Sequence, residues 1–323
     1  MDMTLRLASA AEHAYQIRGT TGDLRYTGLT TKPDPADVGY QGSVEAVQSV
    51  PEGIDAALVG RIAEGVVVAI RGTLSPDDSR WSRTARIADW TNNVGVELVP
   101  ATYGGAPRPG EAQPFPGKVH ELFAASFNRL WGAVLTSVER KIAGAPPRIY
   151  VTGHSKGGAI AAPFAYALAK TYPEHKIIVR TFAPARSVDV TFAAAYNALV
   201  PNHIRYEFNN DPVPHLPIET SALVGVLEDL HLPTGLGQEW TRVDPGYGSV
   251  GKLCYIDEHG RCATEPEVRN EDRLRRLVQF AATHLIGPKT IFDDHPLWSG
   301  YTTYNPALPG GMPPGMPPDV PPV

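Results

Sequence analysis

Apolar residues fall in short unbroken runs in some parts of the chain and recur at helical spacing in others. Two of the runs, at about 54–62 and 66–71, flank an Ala-Glu-Gly turn and are typical of β-strands. The second run reads Val66-Val67-Val68-Ala69-Ile70 and contains no polar position, which predicts a strand buried on both faces. Helical spacing over residues 4–17 predicts a helix ahead of these strands.

Strand-like and helix-like segments alternate through the middle of the chain. The pattern predicts helices at about 119–143, 156–171 and 189–199, and strands at 148–152, 176–182 and 203–208. A Gly- and Pro-rich stretch at 104–117 predicts a loop, and a last helix is expected at 271–286. The alternation predicts an α/β fold with a mostly parallel central sheet and helices on both faces.

The C-terminal segment 306–323 differs from the rest because 8 of its 18 residues are proline. Proline lacks a backbone N–H and restricts the residue before it, so we expect a solvated, polyproline-like tail rather than a helix or strand. Two interpretations stay open: a disordered terminus or linker, and a peptide that docks a partner. Residues 1–305 show no repeat and no shift in composition, which predicts one domain.

Composition and charge exclude several classes of protein. The 323 residues carry a formal net charge of −5, which argues against a nucleic-acid partner. The sequence contains no run of 18 consecutive apolar residues, so no transmembrane helix is predicted. The first residues lack the pattern of a signal peptide, so we expect a cytoplasmic location by default, with export by another route left open. Only Cys254 and Cys262 are present, which excludes a disulfide framework and leaves the redox state of this pair open.

The most informative motif is Gly153-His154-Ser155-Lys156-Gly157, which follows a predicted strand and precedes an alanine-rich predicted helix. A Gly-x-Ser-x-Gly pattern in this context is typical of a nucleophile elbow, a turn so tight that side chains two residues either side of the serine would collide. The turn lifts the serine above the sheet beside the N–H groups of the helix. Ser155 is therefore the candidate nucleophile.

A serine nucleophile needs a histidine base and an acid that orients the histidine. Asp211 follows the predicted strand 203–208, at the edge where active sites of parallel sheets lie. Asp189 and Glu207 are weaker candidates for the acid, because a helix cap or a mid-strand position explains them. Five histidines follow Asp211: His215, His231, His259, His284 and His295. We favour His295, which lies in a loop beyond the last predicted helix, and His284 stays open as the alternative.

An oxyanion hole needs two N–H donors aimed at the developing negative charge. One is the amide of Lys156, directly after the nucleophile. For the second we predict the amide of Thr73, because Arg71-Gly72-Thr73 ends the buried strand and glycine permits a close backbone approach. This chemistry requires no cofactor. Acidic residues beside His259 and His295 do not recur with the spacing of metal ligands, so no metal site is predicted.

Taken together, these motifs resemble the class 3 (fungal-type) triacylglycerol lipases of the α/β-hydrolases. The resemblance is carried by an early Ala-Tyr helix, Arg71-Gly72-Thr73, Asp89-Trp90, Val119-His120, Gly153-His154-Ser155-Lys156-Gly157-Gly158, Asn210-Asp211-Pro212-Val213-Pro214, and His295 with Tyr301 nearby. It implies a triad of Ser155, Asp211 and His295, with an oxyanion hole formed by the amides of Thr73 and Lys156.

The resemblance also implies a lid over the pocket, at about 74–92. Trp81, Ile87 and Trp90 are apolar positions that would form its underside, with charged residues between them. Such a lid opens at a lipid surface and touches it transiently. The alternative is an ordinary surface loop.

The sequence therefore predicts a serine carboxylic-ester hydrolase whose substrates are acyl lipids, either glycerides or phospholipids. Two alternatives remain: an esterase for soluble or aromatic esters, and a catalytically silent hydrolase fold that binds partners. Activation by micelles or emulsions distinguishes a lipase from an esterase, and an active-site label distinguishes both from a silent fold.

Deleting residues 306–323 should leave the melting temperature and the hydrolysis of soluble esters unchanged, because such a tail buries little surface. Thermal unfolding and an ester assay on the shortened chain test this. A loss of several degrees would mean that the tail packs on the domain.

Overall fold

The structure, a computed structural model, describes residues 2–18, 25–26, 38–49, 53–73, 97–104, 112–217, 246–257, 259–265 and 267–284. Its helices are α1 (Met3–Ala14), α2 (Glu121–Ile142), α3 (Lys156–Thr171), α4 (Val190–Leu199) and α5 (Asn270–His284). Its strands are β1 (Ile17–Arg18), β2 (Arg25–Tyr26), β3 (Tyr40–Gln48), β4 (Ala56–Ile62), β5 (Gly65–Ile70), β6 (Leu98–Tyr103), β7 (Gln113–His120), β8 (Arg148–His154), β9 (Lys176–Phe182), β10 (Val188–Asp189), β11 (His203–Phe208), β12 (Tyr247–Gly248), β13 (Lys252–Ile256) and β14 (Cys262–Ala263). A 3₁₀ turn covers Val213–His215.

An eight-stranded sheet forms the centre of the fold, in the order β14-β13-β11-β9-β8-β5-β4-β3. The five strands from β13 to β5 in this order run parallel, and antiparallel strands extend the sheet on both sides. This confirms the predicted α/β fold with a mostly parallel sheet. Parallel strands end at one edge, so the loops after β5, β8, β9 and β11 all leave the sheet on the same side.

The all-apolar strand β5 is buried on both faces, as its sequence predicts. Val66, Val68 and Ile70 belong to the apolar cluster formed with α2 and α3. Val67 and Ala69 point to the opposite face, where they join the cluster that contains the apolar side of α1. Alternating strand positions thus supply two separate cores, and helices cover both faces of the sheet.

Aromatic side chains concentrate between α2, α3 and strand β7. Phe127 lies with its ring centroid 4.9 Å from that of Phe164 and 5.4 Å from that of Phe115. Trp131 stacks on Phe127 one turn further along α2. Residues four apart on a helix share a face, so this apolar stripe holds α2 against α3.

The stretch 104–117 contains part of a strand rather than a loop throughout, so that prediction was wrong. Strands β6 and β7 pair antiparallel, and with β10 and β12 they form a second, four-stranded sheet. Phe115 and Val119 of β7 are buried in the core that contains Phe127 and Phe192. The apolar burial of these two residues outweighs the unfavourable strand propensity of Pro114 and Pro116. For the same reason α2 begins at Glu121, because Val119 and His120 belong to β7.

At the far side of the sheet, α5 is attached to β11 by buried charges. The Glu207 carboxylate accepts a hydrogen bond from Arg205 Nε at 3.0 Å and forms an ion pair with Arg273 of α5. All three side chains are buried, so each charge relies on its partners for stabilisation. Cys254 and Cys262 are joined as a disulfide across β13 and β14. Among the described helices, none is long and apolar enough to cross a membrane.

Candidate active site

Ser155 occupies the junction between β8 and α3. Its backbone has φ 57° and ψ −127°, in a region that residues with a side chain rarely adopt. Its N–H donates to the carbonyl oxygen of Phe182 at the end of β9, and its carbonyl accepts from the N–H of Ala159. The turn is therefore tied on one side to the neighbouring strand and on the other to the first turn of the helix.

The glycines of the elbow are required by space. A Cβ at Gly153 would collide with the backbone of Gly157, and a Cβ at Gly157 would collide with the backbone at Ile70 and Arg71. The helix thus begins in direct backbone contact with the end of β5. This close packing explains why the Gly-x-Ser-x-Gly pattern has glycine on both sides of the serine.

Asp211 lies in the loop after β11, and its side chain is buried. Its N–H donates to the Phe208 carbonyl at 2.9 Å, and its Oδ1 accepts from the N–H of Val213 at 2.9 Å. The second bond forms an Asx turn, which is a structural role that an aspartate before proline can have apart from catalysis. Because β8, β9 and β11 are parallel neighbours, Ser155 and Asp211 follow strands at the same edge of the sheet.

His215 is buried close to Asp211, at the end of the 3₁₀ turn. The pKa of His215 is lowered from 6.5 to about 4, mainly by burial and also by the Arg186 cation, while the Asp211 carboxylate acts in the opposite direction. At neutral pH His215 is therefore uncharged and lies buried beside the candidate acid Asp211.

The loop after β5 passes directly beside the elbow. A Cβ at Gly72 would collide with the hydroxyl of Tyr15 and lie 2.6 Å from the carbonyl oxygen of His154. Thr73 follows in this loop, so both predicted oxyanion donors, the amides of Thr73 and Lys156, come from chain segments that adjoin the elbow. The contact supports the prediction that glycine at 72 serves close backbone approach.

Two residues near the elbow were missed by the sequence reading. Tyr15, at the end of α1, places its hydroxyl 3.0 Å from Nδ1 of His154. Asp55, just before β4, lies with Oδ1 3.4 Å from Nζ of Lys156. The only sequence signal for Tyr15 was its place in the early Ala-Tyr helix, and Asp55 gave none because its partners are distant in sequence.

Several predicted site residues lie outside the described residues. These are His295, His231, and the lid positions Trp81, Ile87 and Trp90. His284 is the last residue of α5, and the backbone N–H of His259 donates to Asp257 in the turn between β13 and β14. Across the described part of the chain, no three His, Cys, Asp or Glu side chains gather in a group that could hold a metal ion.

Acidification should destabilise the protein through His215. Between pH 6.5 and about 4 the unfolded chain binds a proton at this residue that the native protein does not, so stability falls as the pH is lowered through that window. The free energy of unfolding should fall by roughly 3 kcal/mol across this window, and His215 should cause no such loss above pH 6.5. Denaturant unfolding of the parent and of His215→Gln at several pH values measures it. Parallel stability curves for the two proteins would contradict the prediction.

Residues 67–221 match the family described as lipase (class 3). A lipase from Caenorhabditis elegans is 42% identical over 71 residues, which are 21% of this chain and 20% of that protein. The chain therefore matches only about a fifth of the length of this curated relative. The matched family segment contains the loop after β5, the elbow and Asp211.

Solved structures extend the likeness to most of the fold. A triacylglycerol lipase whose catalytic centre is formed by a serine protease triad aligns with TM-score 0.55 and 17% identity, over 90% of this chain and 91% of its own. A triacylglycerol lipase from Penicillium expansum aligns with TM-score 0.52 and 16% identity, over 80% of each chain. At such identities the alignment shows a shared fold. Residues 67–221 thus match the class 3 lipase family, on a fold that most of the chain shares with solved triacylglycerol lipases.

Proposed function

We propose that this chain is a serine carboxylic-ester hydrolase with Ser155 as its nucleophile. The observation that carries the proposal is the backbone of Ser155, held in a left-handed conformation between a strand end and a helix N-terminus. A strained turn persists only where surrounding structure enforces it, and such turns cluster at active sites. Asp211, buried at the same edge of the sheet, supplies a carboxylate for the base.

The proposed reaction passes through an acyl-enzyme. His295 takes the proton of the Ser155 hydroxyl as its oxygen attacks the ester carbonyl, and the amides of Thr73 and Lys156 donate to the resulting oxyanion. His295 then gives its proton to the leaving alcohol, and water repeats the sequence on the acyl group. Asp211 holds the imidazole in the required tautomer and stabilises its charged form.

Acyl lipids, either glycerides or phospholipids, are the proposed substrates. Two relatives of the same fold are triacylglycerol lipases, and the matched family is a lipase family. The apolar positions Trp81, Ile87 and Trp90 in the predicted lid add a means of contacting a lipid surface. An esterase with a permanently open pocket needs no such apolar segment.

A hydrolysis panel tests both the reaction and the substrate class. It compares p-nitrophenyl butyrate, p-nitrophenyl palmitate, a triacylglycerol and a phosphatidylcholine. Each substrate is assayed below and above the concentration at which it forms aggregates, which are an emulsion for the triacylglycerol and vesicles for the phosphatidylcholine. A lipase gains activity when the aggregates form, because the lid opens at their surface. Hydrolysis of dissolved p-nitrophenyl butyrate alone, with no gain in activity on aggregated substrates, would identify an esterase for soluble esters.

Ser155→Ala should lower kcat by about 10⁵–10⁶-fold, because the members of a triad act as a unit. Ser137→Ala is the matched control, since Ser137 is also buried but lies near the far end of α2, away from the elbow. It should retain the activity of the parent. Reaction of the parent with a fluorophosphonate probe, lost only in Ser155→Ala, completes the test. A parent that neither reacts nor hydrolyses esters is a silent fold.

His295→Ala and His284→Ala distinguish the two candidate bases. A base must reach the serine hydroxyl within roughly 3 Å and meet the acid with its other nitrogen, which a loop residue achieves more readily than one fixed on a helix. His295→Ala should abolish turnover without loss of fold, and His284→Ala should retain specific activity per folded molecule. Activity and thermal unfolding are measured on both variants. A folded but inactive His284→Ala would move the base to His284.

A further inference from the structure

The residue after the nucleophile is a lysine, and its charged side chain is buried. Lys156 is 2% exposed, and its Nζ lies 3.4 Å from Oδ1 of Asp55. Burying an ammonium group is costly unless an anion and hydrogen bonds replace its water. The residue whose backbone N–H is the proposed oxyanion donor is therefore fixed at both ends, by its peptide in the elbow and by its ammonium on Asp55.

Asp55 receives two cations from different elements. It is 1% exposed, and its Oδ2 accepts from Arg129 Nε of α2 at 2.7 Å. Burial by itself would raise the pKa of this carboxyl, but the charges of Lys156 and Arg129 hold it below its ordinary value. The carboxylate is therefore ionised at every pH at which the enzyme would work, and it joins the start of α3 to α2.

The short segment 53–55 also holds the other side of the proposed oxyanion hole. Arg71 is buried, and its Nη2 donates to the carbonyl oxygens of Gly53 at 2.6 Å and Ile54 at 3.1 Å. Ser49 fixes the segment in turn, because its N–H donates to the Asp55 carbonyl and its hydroxyl accepts from the Asp55 N–H. Arg71 precedes Thr73 by two residues, so one anchored segment contacts the chain on both sides of the hole.

We propose that Asp55 is a positioning residue for ester hydrolysis, acting through the side chain of Lys156 to aim the Lys156 amide at the oxyanion. This inference rests on the proposed function. The left-handed backbone of Ser155 is strained and would relax if the following peptide could rotate. Rotation of that peptide turns the Lys156 N–H away from the substrate, and the buried ion pair opposes it. Because the negative charge develops only as the ester is attacked and is absent from the bound substrate, the pair supports kcat rather than substrate binding.

Lys156→Met is the first test, since it keeps the backbone N–H and removes only the ammonium group. Asp55 keeps Arg129 in this variant, so we expect it to fold. Asp55→Asn and the double variant Asp55→Asn/Lys156→Met complete the series. The control is Glu45→Gln, which removes the carboxylate that pairs with Arg140 and Lys141 near the surface.

Each single variant should lower kcat on a soluble ester by roughly 10- to 100-fold with little change in KM, since complete loss of one oxyanion donor costs about 10²- to 10³-fold. Glu45→Gln should leave kcat unchanged. In the double variant the melting temperature should recover towards that of the parent, because the buried ammonium that loses the Asp55 carboxylate is itself removed, while kcat stays low. A role in stability alone predicts instead that kcat recovers together with the melting temperature.

A boronic acid that forms a tetrahedral adduct on the nucleophile provides the second readout. Its affinity should fall in parallel with kcat, whereas the affinity of the alcohol product should not change. Parent-like kcat and boronic-acid affinity in folded Lys156→Met would overturn the positioning role. Ser155→Ala is assayed alongside: if it keeps hydrolysing esters, the proposed function itself is wrong, and if only the Asp55 and Lys156 variants are parent-like, the function stands without this inference.

Discussion

The contact between the first turn of α3 and the end of β5 is the constraint on which the site depends. Gly157 lies against the backbone of Ile70 and Arg71, too close for any side chain. The same packing forces a sharp turn at Ser155 and brings the loop of Gly72 and Thr73 beside it. The elbow and the loop that carries the proposed oxyanion donor Thr73 therefore depend on one packing contact, in which a helix begins directly above two neighbouring parallel strands.

Much of this arrangement could be predicted from the sequence, because it is local or periodic. The unbroken apolar run of β5 predicts burial on both faces, and the spacing of glycines around Ser155 predicts the turn. The order of strands and helices from β8 to β11 predicts parallel pairing, which brings Ser155 and Asp211 to one edge. The family resemblance is likewise carried by short motifs around these positions.

The features that escaped prediction depend on partners remote in sequence or on burial that overrides local propensity. Strand β7 contains Pro114 and Pro116 and reads as a loop, although Phe115 between them is buried among aromatic rings of α2, α3 and α4. The Lys156–Asp55 pair joins residues about a hundred positions apart, and neither residue type alone indicates burial. The proposed base, the predicted lid and the proline-rich segment lie outside the described residues, so their assignment rests on sequence.

Strand β11 links the candidate acid and α5 to the middle of the central sheet. It pairs with β9 on one side and β13 on the other, carries Glu207 that anchors α5, and leads directly to Asp211. Amides of a strand paired on both sides in a central sheet open to solvent only with the whole cooperative unit. The candidate acid and the attachment of α5 thus belong to one foldon. On heating, catalytic geometry at this edge should persist until that unit opens and then disappear in a single step.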